Sequence, residues 1–346
     1  MKKLLLLTLF PILSFSQNTS EAKIKVNEGI VLHDDGKYND ALDKYEEALK
    51  LDKNNLSAIS EKAMTLEALK RYDEAIELCK LAINIYPQED IKTIYLTYGN
   101  SLDHSKRTKE ALKIYDEGIK NYPNYYQLYF NKAITLVSDK QIEKSLELFQ
   151  KSAMLNPNHP GSLNALAALN RDKRIISILA SLRYLSIDNK TSRAKGNLDS
   201  VIDLMQQGVT QTDDKNITLA IDPKAMEDVG KKQKGINNFS TADMVLSMTA
   251  ALDFDEKNKN KTQCGKAIDK FNSIFAILKE GQKENKGFYW EFLAPYFIEL
   301  KDKNLIEPFA NIVFLPSQSD DVKKYHQDNT NEIQRFYEWS KNYDWK

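Results

Sequence analysis

A repeat of 34 to 36 residues fills the first half of the chain and limits the folds open to it more than any other feature. A unit of this length forms one helical hairpin, and neighbouring hairpins stack because one hairpin alone cannot bury its apolar face. Positions at this interval keep the same kind of residue through four copies. They are Ala41, Ala75, Ala111 and Ser145; Tyr45, Cys79, Tyr115 and Phe149; Gly29, Ala63, Gly99 and Ala133; and Leu32, Leu66, Leu102 and Leu136.

Two segments carry most of this pattern, GKYNDALDKYEEALKLDKNN (36–55) and KRYDEAIELCKLAINIYPQ (70–88). Their small residues let two helices approach closely, and a proline after the second helix ends it because proline has no N–H for the helix. In these features the chain resembles the tetratricopeptide repeat (TPR) family. The resemblance implies an all-α fold, a TPR solenoid of four to five helical hairpins. Its units are residues 22–55, 56–89, 92–125, 126–159 and a degenerate 160–189, so the solenoid spans 22–189.

Residues 1–16 have the layout of a secretory signal peptide. Lys2 and Lys3 form a basic head, and the segment 4–13 is apolar except for two residues. Ser14 and Ser16 then supply the small side chains that an export peptidase reads. We expect cleavage after Ser16 and an exported protein, periplasmic or secreted, without a transmembrane segment after cleavage. A membrane-anchoring helix is the alternative, although the apolar run has about half of the roughly 20 residues that span a bilayer.

Residues 190–346 show no repeat, and their amphipathic segments predict a mostly helical C-terminal domain. A loop or linker is predicted near 210–238, where ITLAI (217–221) fits a short strand. The last 61 residues hold 14 of the 34 aromatic residues and all three tryptophans. These side chains fit either the core of a small helical domain or a platform for a glycan or a peptide. Trp345, beside the C-terminus, is expected to be the most exposed of them.

The composition argues against several kinds of function. The 49 basic and 49 acidic residues cancel, whereas a nucleic-acid-binding domain carries a basic patch. Two cysteines are too few for a disulfide framework or a thiolate zinc cluster. The four histidines form no H-E-x-x-H motif, and His33 and His104 lie two repeats apart, so a shared metal site is not expected.

One segment, DFDEKNKNKTQC (253–264), is superficially similar to a calcium-binding loop because Asp253 and Asp255 occupy its first and third positions. Asn258 and Cys264, however, stand where that loop requires glycine and glutamate. A solvated loop is the expected structure. We predict neither a cofactor nor a metal ion.

The TPR resemblance implies that the first helix of each hairpin lines a concave groove that holds a peptide or a helix. Aromatic residues concentrate on the first helices of the third and fourth repeats, and aromatics dominate binding hot spots. One TPR subclass clamps a C-terminal carboxylate; Asn100 and Asn131 match its asparagines, but its cations are absent. The predicted partner-binding residues are Leu96, Asn100, Asp103, Gln127, Phe130, Asn131 and Ile134.

The sequence therefore predicts a non-catalytic protein–protein interaction or scaffold protein of the cell envelope, which binds a peptide or protein segment in the TPR groove. The alternative is an enzyme or a glycan-binding module in the aromatic-rich C-terminal region, with the repeats as a docking arm. A catalytic site there requires polar groups that converge in a pocket. The identity of the partner and the oligomeric state do not follow from the sequence.

Overall fold

The computed structural model describes residues 10–213, 216–220 and 235–345, with side chains from residue 19 onward except that of Asp213. The chain groups into two compact units, Met1–Leu148 and Phe149–Lys346, which we call the N-terminal unit and the C-terminal unit. The division falls within the fourth predicted repeat, whereas the sequence places the end of the solenoid at residue 189.

The repeats form helical hairpins, which confirms the predicted all-α TPR fold. The first helices of successive hairpins pack against one another, α1 on α3, α3 on α5 and α5 on α7, and so form one face of the N-terminal unit. The helices of the four repeats are α1 (Phe10–Asp34), α2 (Tyr38–Leu51), α3 (Leu56–Ala68), α4 (Tyr72–Ile85), α5 (Lys92–His104), α6 (Thr108–Asn121), α7 (Tyr126–Ser138) and α8 (Ile142–Leu155).

The turn inside each hairpin has the same geometry in all four repeats. One residue adopts a left-handed conformation. The N–H of the next residue donates to the carbonyl of the residue five positions earlier in the chain, as Lys37 does to Leu32 at 2.8 Å. This Schellman closure pairs carbonyls that the end of the first helix leaves free. Glycine alone adopts this conformation without a steric cost from Cβ. The φ angles are 75° at Gly36, 61° at Lys70, 64° at Lys106 and 61° at Lys140.

The two helices of a hairpin approach most closely where a glycine faces a tyrosine ring. A Cβ atom on Gly29 would lie 2.4 Å from Cε1 of Tyr45, and one on Gly99 would lie 2.3 Å from Cε1 of Tyr115. Both tyrosines are buried, so their rings have little room to move away. The glycines are therefore required for packing, although glycine is a poor helix former.

Tyrosines that follow the second helices connect one repeat to the next. Tyr122 donates its hydroxyl to the carbonyl of Glu89 and accepts the N–H of Ile91, both at 2.9 Å. Tyr86 donates to the carbonyl of Asn54 in the same way. These bonds fix the loop between two repeats to the end of the later repeat.

The C-terminal unit is mostly helical. Its helices after α8 are α9 (Pro160–Leu169), α10 (Arg174–Ile187), α11 (Ser192–Gln206), α12 (Ser240–Ala251), α13 (Gln263–Gly281), α14 (Ala294–Asp302), α15 (Ile306–Val313), α16 (Asp320–Asp328) and α17 (Thr330–Lys341). A π-helical turn, Tyr289–Leu293, precedes α14. Strands β1 (Val209–Asp213) and β2 (Asn216–Leu219) form an antiparallel hairpin, which confirms a strand within the predicted segment. Residues 214–215 and 221–234 of the predicted linker lie outside the described residues.

The aromatic residues of the C-terminal unit pack against one another in its interior. Phe275 contacts Phe297 with ring centroids 5.1 Å apart, and Phe309 packs on both rings. Trp345 is half-buried and stacks on Tyr296 at 5.2 Å, so the expectation that it is the most exposed aromatic was wrong. The contacts favour a core over a glycan-binding platform, because stacked and buried faces are closed to a ligand.

Arg183 lies beneath these rings and is 1% exposed. Its guanidinium carbon is 4.6 Å from the ring centroid of Tyr296 and 5.0 Å from that of Trp345. It donates to Oδ1 of Asn158 at 2.6 Å and to Oγ of Ser186 at 3.0 Å. Burial lowers the pKa of Arg183. Two aromatic faces and neutral acceptors therefore stabilise its charge, in place of a carboxylate among the described residues.

The segment that is similar to a calcium loop has a structural role. Asp253 is buried and accepts a hydrogen bond from Nζ of the buried Lys270 at 2.6 Å. Gln206 donates to the same carboxylate. Burial lowers the pKa of Lys270, and the hydrogen bond to Asp253 opposes this shift. An aspartate held in a buried ion pair is not free to begin a calcium-binding loop.

The close contact between Gly99 and Tyr115 predicts that Gly99→Ala destabilises the protein, by about 1–3 kcal/mol, because the added methyl group overpacks the hairpin. Helix propensity alone predicts instead that Gly99→Ala stabilises the protein, because alanine is a better helix former than glycine. Gly196→Ala is the matched control: Gly196 also lies inside a helix, and no described atom would lie within 4 Å of its Cβ. That control should stabilise by up to about 1 kcal/mol. Chemical denaturation of both variants measures the difference, and equal effects would contradict the packing argument.

Candidate functional site

A cavity of about 550 Å³ opens on the face formed by the first helices of the N-terminal unit. It draws residues from the first three repeats. Its wall combines apolar side chains with imidazole, carboxyl and amide groups, which is the usual composition of a ligand-binding site. The lining residues are His33, Met64, Glu67, Ala68, Lys70, Tyr72, Thr93, Leu96, Thr97, Asn100, His104 and Tyr125.

Polar side chains join successive first helices along this face. Nδ1 of His33 lies 2.7 Å from Oγ1 of Thr65, which connects α1 to α3. Oγ1 of Thr135 donates to Oδ2 of Asp103 at 2.9 Å, which connects α7 to α5. His33 and Asp103 occupy equivalent positions in their repeats, as do Thr65 and Thr135. The same bond therefore recurs and fixes the spacing of α1 from α3 and of α5 from α7. The equivalent residue of the third repeat, Ser101, has no hydrogen-bond partner for its Oγ among the described residues.

Asn100 links the interior of a hairpin to the cavity wall. Its Oδ1 accepts a hydrogen bond from the hydroxyl of Tyr115 at 2.8 Å and another from Nδ2 of Asn131 at 2.7 Å. The ring of Tyr115 is the one that packs on Gly99. The two asparagines predicted to bind a partner thus bond to each other, and the carbonyl oxygen of Asn100 is already occupied.

Glu67 is a carboxyl group with little solvent around it. Burial raises the pKa of Glu67 to about 7, and a hydrogen bond with Asn100 acts against this shift. Because this pKa lies near neutrality, the carboxyl group exists in both charge states at physiological pH. The cavity can therefore offer a partner either a hydrogen-bond donor or a negative charge at this position.

Five of the seven predicted site residues divide into three groups. Leu96 and Asn100 line the cavity. Asp103 and Asn131 hold neighbouring helices together, and Ile134 is 43% exposed on α7. The predicted set thus falls partly in the cavity wall and partly in the bonds that shape it.

Gln127 and Phe130 complete the predicted set on α7. Both are half-buried, and neither lines the cavity. Oε1 of Gln127 is buried and has no hydrogen-bond partner among the described residues. Buried carbonyl oxygens are nearly always paired in proteins, so this oxygen is an exception in the packing of α7 and is not exposed to a bound segment.

The sequence did not predict that His33 and His104 share a cavity. They belong to repeats that are not neighbours, but both are among its lining residues. The ring of Tyr72, at the start of α4, stacks on His104 with centroids 5.4 Å apart. The helix register could have placed these residues on one face, but it gave no sign that the face encloses a single cavity. No group of three or more potential metal ligands occurs in the part of the chain that was described.

Comparisons with known proteins agree with this geometry. The tetratricopeptide repeat family matches residues 32–95 and again residues 126–159. Photosystem I assembly protein Ycf3 of Rippkaea orientalis is 30% identical over 140 residues, which cover 38% of this chain and 76% of that protein. The chain therefore belongs to the tetratricopeptide repeat family. Relatives of this kind are generally protein-interaction scaffolds without enzymatic activity.

Several solved structures are similar to part of this chain. PilF of Pseudomonas aeruginosa is 18% identical, with a TM-score of 0.44 over 55% of this chain and 91% of that chain. PilW, a type IV pilus biogenesis factor, is 23% identical, with a TM-score of 0.43 over 54% of this chain and 91% of that chain. A TPR protein of Thermus thermophilus is 17% identical, with a TM-score of 0.46 over 52% of this chain and 99% of that chain.

Among the described helices, none is both long and apolar enough to cross a membrane.

The raised pKa of Glu67 predicts how stability depends on pH. Between the ordinary value of 4.5 and about 7, the unfolded chain releases this proton while the folded chain keeps it. The free energy of unfolding should therefore fall as pH rises through this window. Glu67→Gln removes this titration. The free energy of unfolding of the variant minus that of the parent should therefore rise by about 2 kcal/mol from pH 4.5 to pH 8. Urea denaturation across this range measures the change, and a constant difference between the two proteins would contradict the assignment.

Proposed function

We propose that this protein is an exported, non-catalytic scaffold of the cell envelope and that the cavity of the N-terminal unit binds an extended segment of a partner protein. The observation that carries the proposal is the cavity itself, formed by three successive first helices. Membership of the TPR family supports the scaffold part, as does similarity to a relative named as an assembly protein.

The chemistry of the cavity suits a peptide that has apolar side chains. Met64 is 36% exposed, and the half-buried Leu96 and Tyr125 lie in the same wall. Such surfaces gain free energy when a partner covers them, by roughly 25 cal/mol for each Å² of apolar area buried. Ile134 is also exposed and extends this apolar surface onto α7, the first helix of the fourth repeat. A segment that crosses the first helices from one repeat to the next would cover all of these side chains.

Polar groups beside the apolar surface would fix the register of the segment. Glu67 and Asn100 lie in the wall with the imidazoles of His33 and His104. Together they supply donors and acceptors that can pair with a peptide backbone, as an extended ligand requires. Leu96 stands where a carboxylate clamp has its lysine, and Lys70 is the one lysine or arginine among the described lining residues. We therefore propose recognition of an internal segment rather than of a free C-terminus.

Export is proposed from the N-terminal sequence alone. The basic Lys2 and Lys3, the apolar run at 4–13 and the pair Ser14 and Ser16 support it. The location would place the scaffold among envelope or secreted proteins, where its partner would be found.

Peptide binding can be tested with the full chain and a phage-displayed library of random peptides. Met64→Ala combined with Leu96→Ala should weaken the selected peptides by about 30-fold, or about 2 kcal/mol, if these side chains are hot spots. Leu81→Ala combined with Ile85→Ala is the matched control, because both side chains are exposed on a second helix. Fluorescence anisotropy measures the affinities. Equal losses in the two double variants would contradict binding in the cavity.

Export can be tested on protein recovered from its native source. N-terminal sequencing should give a chain that starts at Gln17. Leu5→Arg combined with Leu6→Arg interrupts the apolar run and should leave the chain uncleaved and inside the cell. A native chain that keeps Met1 and is not exported would show that the proposed location is wrong.

A further inference from the structure

A second cavity, of about 280 Å³, lies in the C-terminal unit between α9, α10 and α11. Every polar side chain in its wall is neutral or basic, and the described residues that line it include no carboxylate. The lining residues are Asn164, Ala167, Ala168, Arg171, Ser177, Ser181, Arg193, Gly196, Asn197 and Ser200.

Arg171 and Arg193 differ from the other arginines of the chain. All seven arginines lie among the described residues. Five of them donate side-chain hydrogen bonds within the protein: Arg71, Arg107, Arg174, Arg183 and Arg335. The guanidinium groups of Arg171 and Arg193 have no hydrogen-bond or ion-pair partner in the described part of the chain. Both side chains are exposed and line one cavity, so two guanidinium groups are free to bind an anion there.

Ser181 gives an independent indication that a ligand belongs there. It is 2% exposed, lies in the wall of the cavity, and its hydroxyl forms no hydrogen bond with the described residues. The neighbouring Ser177, by contrast, donates to the carbonyl of Ala167 at 2.9 Å. Oγ of Ser181 is not among the fully enclosed unpaired atoms of the described residues. Its hydroxyl is therefore open to the cavity and can donate to an oxygen atom there.

Gly196 keeps the cavity open. It lies inside α11, where glycine costs roughly 1 kcal/mol relative to alanine. No described atom would lie within 4 Å of a Cβ atom on it, so no close packing contact requires a glycine. Beside it, Nδ2 of Asn197 donates to Oδ1 of Asn164 at 2.9 Å, which holds α11 to α9. The missing side chain leaves space in the wall that also holds the two arginines.

We infer that this cavity binds an oxyanion, the phosphate or carboxylate group of a small ligand, through the guanidinium groups of Arg171 and Arg193 and the hydroxyl of Ser181. Guanidinium is suited to this role because its planar fork of N–H donors matches both kinds of oxyanion. The inference is independent of the proposed peptide binding, because it concerns different residues in the C-terminal unit.

Isothermal titration calorimetry of the full chain with inorganic phosphate tests this site, in chloride buffer of matched ionic strength. Acetate is titrated separately to distinguish phosphate from carboxylate. The parent should bind one of the two saturably. Arg171→Gln combined with Arg193→Gln should weaken binding by at least about tenfold. Lys173→Gln combined with Lys190→Gln removes the same charge from nearby positions outside the cavity, and should change the affinity by less than about twofold.

A filling variant tests the position of the ligand without a change of charge. Gly196→Leu should abolish binding and leave the melting temperature unchanged or higher, because leucine is a better helix former than glycine. The absence of saturable binding by either anion would overturn the inference. An equal loss of affinity in the lysine double variant would show that only the net charge matters, and would also overturn the inference. Unchanged binding by Gly196→Leu would overturn it as well.

Discussion

The fit of a tyrosine ring against a glycine inside a hairpin is the contact on which the N-terminal unit depends. It brings the two helices of the first and third hairpins close together, at Gly29 with Tyr45 and at Gly99 with Tyr115. The contact also reaches the binding face, because the hydroxyl of Tyr115 bonds to Asn100 in the cavity wall. Core packing and groove geometry are therefore determined by the same side chain.

A second set of contacts sets the distance between hairpins. The bonds from His33 to Thr65 and from Thr135 to Asp103 recur at equivalent positions of different repeats. They lie on the first helices, where they join the fully buried Thr65 and Thr135 to the half-buried His33 and Asp103. A partner that enters the cavity would therefore meet a surface whose shape is already fixed, which lowers the entropic cost of binding.

The sequence was sufficient to predict the hairpins, because the repeat places each small or aromatic residue against a known counterpart. In the second repeat, alanine (Ala63) replaces the glycine and cysteine (Cys79) replaces the tyrosine. The larger side chain on the first helix is thus matched by a smaller side chain on the second helix. The side-chain bonds of the site could not be predicted. The sequence predicts that Asn100 and Asn131 face the groove, but only coordinates show that they bond to each other.

The C-terminal unit shows a different limit of sequence reasoning. Its many aromatic residues fit a binding platform and a packed core equally well by composition, and contacts such as Trp345 on Tyr296 are needed to decide. Arg183 is another example, since a buried arginine without a carboxylate partner in the described chain is recognised only from the rings that cover it. Arg171 and Arg193 could likewise be singled out only once the partners of the other arginines were known.

The central claim is that partners bind on the face formed by the first helices of the N-terminal unit. The most direct measurement is site-specific photo-crosslinking in native extract, with a benzophenone amino acid in place of Leu96 in the cavity or of Leu81 on a second helix. The account predicts a discrete cross-linked partner from position 96 and none from position 81. The same partner from position 81, with none from position 96, would contradict it.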